Sequence, residues 1–248
     1  MTGERGAALL VVLGAIMLLS AIGAVLVTTT STELLIAANA GAATEARHAA
    51  AAAFERTLAE LRLVPDLTSV LDGSRASQFT DGAASGGRTL SDGSVIDLSE
   101  VVNRASCQRT SGCRPVDLDA ALRGRPWGPR NPRWRLFSHG PMDGGSSLGP
   151  RGAPLYVVTL VADDPLDDDG DPWQDGVRVG TAANPGAGVI LIRAEAVGRR
   201  GASRGVEGVV LRHELRARAE WEALDPLTRG PAPPALPVLQ VLSWREVR

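Results

Sequence analysis

The amino-acid sequence predicts an α+β fold in which a long N-terminal helix, first transmembrane and then amphipathic, packs on an antiparallel β-sheet. An uncharged apolar stretch near the N-terminus leads directly into an Ala-rich segment with helical spacing. After Pro132, runs rich in Val, Leu and Ile are separated by Gly, Pro and Asp, as in strands joined by turns. A helical part followed by a run of strands is typical of an α+β arrangement.

The apolar stretch is the first predicted element. Residues Ala7 to Val27 carry no charged side chain, and about 20 apolar residues are enough to cross a bilayer. We therefore predict a transmembrane segment over 7–27. Arg5 precedes the segment and Arg47 is the next basic residue, so the positive-inside rule places the bulk of the chain outside the cytoplasm.

The helix is predicted to continue beyond the membrane, over 7–63. Thr28 to Thr32 has low helix propensity, but within a continuous ladder of hydrogen bonds it costs only about a few tenths of a kcal/mol per residue. Pro65 ends the helix, because the residue before a proline is pushed out of the helical region. Three apolar residues at steps of four and three are predicted to cover the inner face of the sheet: Phe54, Leu58 and Leu61.

The N-terminal residues also carry a family resemblance. The run Arg5-Gly6-Ala7-Ala8-Leu9-Leu10-Val11-Val12-Leu13 is followed by the Thr/Ser step, by Glu33 and Asn39, and by the Ala-rich Ala46 to Phe54. In these residues the first quarter of the chain resembles the PilX-type minor pilins of type IV pili. The resemblance implies a leader peptide, residues 1–6, that prepilin peptidase removes after Gly6, so that Ala7 becomes the methylated N-terminus.

Two positions depart from the common pilin pattern. Most pilins have Phe directly after the cut and Glu as the fifth mature residue, where this chain has Ala7 and Val11. In pilins that Glu is assigned to pairing with the N-terminal amine of a neighbouring subunit, a contact that Val cannot make. Its absence resembles the K-type tip pseudopilins of type II secretion, and it suits a subunit that starts a filament.

The resemblance implies a minor pilin that primes assembly at or near the pilus tip and contributes to adhesion. Its partners would be other minor pilins, the major pilin, prepilin peptidase, the bacterial inner membrane and a surface receptor. Before assembly its C-terminal domain would lie in the periplasm. Two alternatives stay open: a minor pseudopilin of a type II secretion system, and a single-span anchored periplasmic binding domain.

Between the helix and the sheet, residues 64–133 are predicted to form a loop-rich connector. Cys107 and Cys113 enclose only Gln108 to Gly112 and follow an apolar N-terminal segment. That context favours a disulfide, because a metal site would need more ligands. A disulfide that closes so short a loop stabilises the fold by about 2 kcal/mol.

An Arg-rich segment, Arg104 to Arg135, contains Trp127 and Trp134 and is the one part that suggests nucleic-acid binding. The formal net charge of the whole chain is -2, and the segment is rich in Pro and Gly. We therefore predict a solvated, turn-rich segment whose Arg side chains pair with acidic neighbours, and no nucleic-acid partner. A DNA-binding tip is the alternative.

The sheet domain is predicted over residues 134–248. Five runs of apolar and β-branched residues supply its strands: Trp134 to Ser138, Leu155 to Ala162, Val189 to Ala196, Val206 to Leu215 and Val238 to Val247.

An acidic stretch, Asp163 to Asp175, joins two of these strands and reads Asp-Asp-Pro-Leu-Asp-Asp-Asp-Gly-Asp-Pro-Trp-Gln-Asp. Carboxylates packed so closely repel each other, and Ca²⁺ takes about six to eight oxygen ligands. Gly170 permits a sharp turn, but no Glu stands at the twelfth place of an EF-hand loop. The candidate calcium ligands are Asp163, Asp164, Asp167, Asp169, Asp171 and Asp175. A solvated acidic hairpin loop is the equal alternative, and calcium loops in this part of the fold occur in some pseudopilins.

Catalysis is not expected. The sequence has no Gly-rich phosphate loop and no His-Glu-x-x-His metal motif. The acidic stretch lacks the aromatic platform and the fixed cleft of a glycosidase. Aromatic residues make up 4% of the chain, which argues against a deep pocket for an organic cofactor.

Overall fold

The computed structural model of the chain describes residues 4–90, 92–142, 155–176, 178–179, 182–183, 186–198, 201–233 and 238–247. The chain divides into two units, Met1–Ala43 and Thr44–Arg248. A long N-terminal helix and a separate antiparallel β-sheet confirm the α+β class. In chain order the elements are α1 (Glu4–Leu61), α2 (Thr68–Leu71), β1 (Gly87–Thr89), β2 (Val95–Asp97), α3 (Leu98–Cys107), α4 (Pro115–Leu118), β3 (Arg135–Met142), β4 (Leu155–Asp163), β5 (Arg178–Val179), β6 (Ala182–Ala183), β7 (Val189–Val197), β8 (Ser203–Arg212), α5 (His213–Glu222) and β9 (Leu239–Val247).

The first unit consists of the apolar part of α1. This helix is long and apolar enough to cross a membrane, and it is the one such helix among the described residues. It passes through Thr28 to Thr32 without interruption. Four hydroxyl groups there, those of Thr28, Thr29, Ser31 and Thr32, donate hydrogen bonds to carbonyl oxygens four residues earlier at 2.8 to 3.1 Å. The helix thereby satisfies its own polar side chains in this segment.

The second unit is built on a five-stranded sheet with the order β3-β4-β7-β8-β9. Every neighbouring pair of these strands is antiparallel. Strands β1 and β2 form a separate two-stranded ladder, and so do β5 and β6. All five predicted strands overlap strands of this sheet, with ends that differ by at most about four residues.

One face of the five-stranded sheet is covered by the last turns of α1. Phe54, Leu58 and Leu61 are buried at this contact. They form one hydrophobic core with Val157, Ile192 and other residues of the sheet. This confirms that the three predicted side chains cover the inner face. Gly208 of β8 allows the close approach, because a Cβ atom at this position would lie 2.8 Å from Phe54 Cζ.

The other face carries α3, and we call it the outer face. Side chains alternate across a strand, and Tyr156, Val158 and Leu160 of β4 point to this face and pack with residues of α3. Asp97 caps the helix, since its Oδ1 accepts hydrogen bonds from the amides of Ser99 and Glu100 at 2.8 and 3.1 Å. Both faces of the sheet are therefore covered at β4, which is buried over its whole length, whereas β9 at the sheet edge is largely exposed.

Two ten-residue helices, α3 and α5, were not predicted. The predicted loop-rich connector contains α3, which directly follows the strand Val95–Asp97. The predicted strand Val206 to Leu215 is wrong at its end, because the strand stops at Arg212 and α5 begins at His213. Two ion pairs stabilise α5: Arg216 with Glu220 and Arg218 with Glu222. In each pair the partners lie one helical turn apart along the chain, and the distance between them is 2.8 Å.

The predicted disulfide is present. The Sγ atoms of Cys107 and Cys113 lie at bonding distance, and their Cα atoms are 5.8 Å apart. Cys107 is the last residue of α3, so the bridge ties the C-terminal end of this helix to the segment that follows it.

The contact between α1 and the sheet yields a stability prediction. Phe54 is 4% exposed, so Phe54→Ala leaves a cavity against Gly208 and is expected to lower the free energy of unfolding by about 3 to 5 kcal/mol. Leu63→Ala is the matched control, because Leu63 is 79% exposed and its truncation is expected to cost less than about 0.5 kcal/mol. Urea unfolding of the full chain in mild detergent, followed by tryptophan fluorescence, measures both. Equal losses for the two variants would contradict the packing described here.

Candidate metal centre

The candidate metal centre lies in the loop that follows β4, and we call residues 163–175 the acidic loop. Asp163 is the last residue of a strand that is buried over its whole length. Asp163 and Asp167 are each only 7% exposed. One carboxylate oxygen from each of Asp163, Asp167 and Asp169 lies within 4.8 Å of the other two. We call these three side chains the carboxylate cluster.

The backbone of the acidic loop curls because its aspartates accept hydrogen bonds from amides two residues ahead. Asp167 Oδ1 accepts from the amide of Asp169 at 2.8 Å, and Asp169 Oδ1 accepts from the amide of Asp171 at 2.7 Å. Asp171 Oδ1 accepts from the amide of Trp173 at 3.0 Å. These are Asx turns. Gly170, with φ +79°, supplies the sharp turn that the sequence predicted.

Contacts from distant segments hold the acidic loop in place. A Cβ atom at Gly186 would lie 2.6 Å from Asp167 Cα, so only glycine allows the turn before β7 to approach this closely. The amide of Gly188 donates to Asp175 Oδ1 at 2.7 Å. The amide of Asp175 donates to Thr68 Oγ1 at 3.2 Å. These contacts were not predicted from the sequence. Gly186, shortly before β7, was a local signal that the chain could pack closely against Asp167 at this position.

Burial makes ionisation of these carboxylates unfavourable. It raises the pKa of Asp163 from 3.8 to about 9, with a smaller contribution from the negative charge of Asp167. Burial and the same neighbouring charge raise the pKa of Asp175 from 3.8 to about 7. The pKa values of Asp164 and Asp169 are also raised, mainly by burial. Near neutral pH the acidic loop therefore favours either bound protons or a compensating cation.

The six predicted ligands are not equivalent in the structure. Asp163, Asp167 and Asp169 form the carboxylate cluster, and the charge of Asp175 acts on the same group. Asp164 lies outside the cluster, and its Oδ1 accepts from the amide of Leu166 at 3.2 Å. Asp171 also lies outside it, and its Oδ2 accepts from the Gln174 amide group at 2.8 Å.

The chemistry of the carboxylate cluster fits a hard cation. Carboxylate oxygens are preferred ligands of Ca²⁺, which also takes backbone carbonyl oxygens and water in flexible geometries. The neighbouring Asp168 has a different partner, since it forms an ion pair with Arg130 at 2.6 Å. The loop thus contains aspartates that differ in how their charge is compensated.

The Arg-rich segment forms ion pairs with acidic neighbours, as predicted. The pairs are Arg104 with Glu100, Arg109 and Arg114 with Asp117, Arg130 with Asp168, and Arg133 with Asp119. Among the described residues, the other three arginines of this segment form no such ion pair: Arg123, Arg125, which is buried, and Arg135, which lies over the Trp173 ring.

The predicted processing residues lie near the start of α1. Gly6 and Ala7 both fall within the helix. Residues 1–3 of the predicted leader lie outside the described residues.

No protein-family model matches this chain. No curated protein and no solved structure matches it either. A functional assignment therefore depends on the chain's own residues and on the resemblance of its N-terminal segment.

The raised pKa values predict how stability depends on pH when divalent cations are removed by a chelator. In the folded protein the pKa is about 7 for Asp175 and about 9 for Asp163, whereas carboxyl groups of the unfolded chain titrate near about pH 4. Between these pH values the folded state binds more protons than the unfolded state. Stability from these groups is complete below this interval and is lost as pH rises through it. The melting temperature is therefore expected to fall between about pH 5 and 8.

The variant Asp163→Asn tests the cause. It keeps the shape of the side chain and removes its charge, so it is expected to melt higher than the parent at about pH 8 and to show a shallower fall with pH. Asp168→Asn is the control, because Asp168 pairs with Arg130, and its pH profile is expected to follow the parent. A parallel profile for Asp163→Asn would count against the buried-carboxylate explanation. Circular dichroism melts over this pH range measure the effect.

Proposed function

We propose that this protein is a minor pilin of a type IV pilus, stored in the inner membrane and incorporated at or near the pilus tip, where it primes filament assembly. The observation that carries the proposal is α1, a single helix that begins in an apolar segment and ends as the cover of a β-sheet. The residues Arg5-Gly6-Ala7 at its start supply the processing signal.

The apolar part of α1 needs an apolar environment. Its large side chains between Leu9 and Val27 are all exposed within the described chain, and soluble proteins rarely leave so continuous an apolar surface in water. Lipid satisfies this surface before assembly. In a filament, the corresponding helices of neighbouring subunits would take the place of lipid.

Val11 favours a terminal position in the filament. A carboxylate at this position would need the amine of a neighbour, and a buried charge without a partner is strongly unfavourable. Valine has no such requirement, so a subunit with no neighbour above it leaves nothing unpaired. The sheet domain would then contact other minor pilins, the major pilin or a surface receptor.

The same observations support two other candidates. A minor pseudopilin of a type II secretion system would use α1 in the same way, and Val11 fits a tip position there too. A single-span anchored periplasmic binding domain would use residues 7–27 as an anchor only. The mature N-terminus separates the anchor from both filament proteins, and pilus or secretion phenotypes of a deletion strain separate the two filament systems.

Processing gives the first test. In cells with an active prepilin peptidase we expect the purified protein to begin at methylated Ala7, as measured by intact mass and N-terminal peptide mass spectrometry. Gly6→Val is expected to block removal of residues 1–6, because it places a branched side chain directly before the implied cut. Gly3→Val, a glycine substitution in the same leader, is expected to leave processing unchanged. A protein that still begins at Met1 would favour the anchored-domain alternative.

We further propose that the carboxylate cluster binds Ca²⁺ and so fixes the acidic loop at the end of β4. The mutual proximity of three carboxylates and the raised pKa values of Asp163 and Asp175 support this. A divalent cation would offset the repulsion that these charges otherwise generate. The loop joins two sheet strands, so cation binding would rigidify one end of the sheet domain.

Calcium binding is tested with two neighbouring substitutions of the same kind. Asp169→Asn removes a charge from the carboxylate cluster and is expected to weaken Ca²⁺ binding by at least about tenfold. Asp168→Asn removes the same charge from an aspartate that pairs with Arg130 and is expected to change the affinity by less than about threefold. Isothermal titration calorimetry of the full chain in detergent at about pH 7.5 measures both affinities. No heat of binding for the parent protein, or equal losses for the two variants, would contradict the proposal.

A further inference from the structure

A second feature of the sheet domain lies away from the acidic loop. A cavity of about 740 Å³ is bounded by the end of α3, by the segment that leads to β3, and by the outer faces of β7, β8 and β9. We call it the outer cavity. Its lining includes Arg125, Trp127, Trp134 and a group of charged residues on the three strands.

Arg125 is a buried cation with unused hydrogen-bond donors. The side chain is 6% exposed. Its Nη1 donates to the carbonyl oxygen of Ser106, and its Nε and Nη2 have no hydrogen-bond partner among the described residues. The backbone is held by two hydrogen bonds with Leu122, each at 2.8 Å. The fold therefore fixes the guanidinium group and leaves one of its edges unsatisfied.

The acidic groups of the outer cavity do not compensate Arg125. Glu195 accepts a hydrogen bond from Arg193 Nε at 2.6 Å. Glu207 accepts from Arg245 Nη2 at 2.8 Å and lies 3.4 Å from Arg193 Nη1. Burial and the positive charge of Arg133 both lower the pKa of Arg125.

The other cations of the lining have counter-ions. Arg104 pairs with Glu100, Arg193 with Glu195 and Arg245 with Glu207, so Arg125 is the one Arg of the lining that forms no ion pair among the described residues. A buried cation without a counter-ion is unfavourable, and most buried polar groups in folded proteins have a partner. The free donors of Arg125 are therefore suited to an anionic group.

The two free donors of Arg125, Nε and Nη2, indicate which kind of anion would bind. The Nε and Nη2 donors of one guanidinium group point in parallel and match the two oxygens of a carboxylate. Beside them, Trp127, Pro132 and Trp134 form an apolar wall. The wall fits the apolar body of a ligand whose carboxylate meets Arg125. Both nitrogens are shielded from solvent, so entry requires a side chain to shift, and Trp127, 41% exposed, is the exposed member of the wall.

We propose that the outer cavity is a binding site for a carboxylate attached to an apolar or aromatic group, with Arg125 as the carboxylate receptor. Two sources share this chemistry: a small aromatic acid, and the free C-terminus of a peptide that ends in an apolar residue. The site does not depend on whether the protein enters a filament.

The test uses the full chain in detergent micelles and two pairs of probes that differ only at the carboxyl group. Benzoate is compared with benzamide, and N-acetylphenylalanine with its amide, by saturation-transfer NMR and by titration of tryptophan fluorescence. Each acid is expected to bind at least about tenfold more tightly than its amide, because only the acid pairs with the guanidinium group. Tighter binding of N-acetylphenylalanine indicates a peptide terminus, and tighter binding of benzoate indicates a small acid.

Three variants locate the site. Arg125→Gln is expected to reduce acid binding by at least about tenfold, and Arg125→Lys to restore only part of it, because a lysine keeps the charge but loses the fork. Trp127→Ala truncates an exposed side chain and is expected to weaken both acids while the protein stays folded. Arg109→Gln is the matched control, since Arg109 lies inside the disulfide loop, pairs with Asp117 and does not line the outer cavity.

The proposal is overturned if acids and amides bind equally, or if neither acid binds at up to about 10 mM. It is also overturned if folded Trp127→Ala protein binds the acids as tightly as the parent. Circular dichroism shows whether each variant is folded. If Arg125→Gln is unfolded, its loss of binding is not evidence for the site, and the acid affinity of Trp127→Ala then tests the proposal.

Discussion

The packing of the last turns of α1 on the sheet is the contact on which the second unit depends. A sheet with an apolar face exposed to water is not stable, because that face must pack against another element. Helix α1 covers the face with Phe54, Leu58 and Leu61. The contact is close because β8 has glycine at position 208. Arg212, at the end of the same strand, also reaches the chain just after the helix and donates to the carbonyl oxygen of Val64. Helix, strand and the segment after the helix are therefore fixed together.

The electrostatic features of the sheet domain follow from this packing. Strand β4 is the second strand of the sheet and is buried over its whole length, because α1 covers one face and α3 the other. Its last residue, Asp163, is consequently a carboxylate at the edge of an apolar core, and burial raises its pKa. Arg125 is buried for a similar reason, because the segment between α4 and β3, which contains it, packs on part of the outer face. In both places the fold buries an ionisable group that it does not fully pair internally, and such groups are candidates for binding sites.

The sequence predicted the parts of the fold that depend on local pattern. The apolar run and the spacing of Phe54, Leu58 and Leu61 sufficed for α1, and runs of apolar and β-branched residues sufficed for all five strands of the main sheet, apart from their ends. Helix α3 was missed because its residues mix polar and apolar types over only ten positions, and α5 because an apolar strand runs into it without a Gly or Pro between them. The acidic loop was visible as composition, and Gly170 as its turn. What composition could not show is which aspartates converge, because that depends on Gly186 and Thr68, far away in the sequence.

The two candidate sites differ in what they require of the fold. The carboxylate cluster spans only residues 163–169, but it depends on the sheet, because Asp163 ends the buried strand β4 and the turn at Gly186 packs against Asp167. Arg125 is positioned by its hydrogen bond to Ser106, the residue before the disulfide-bonded Cys107, and by backbone pairing with Leu122. Its binding edge therefore depends on the end of α3 and on the bridge to Cys113. Besides the stabilisation of about 2 kcal/mol that such a bridge supplies, it holds the end of α3, and with it the Ser106 carbonyl group that accepts a hydrogen bond from Arg125.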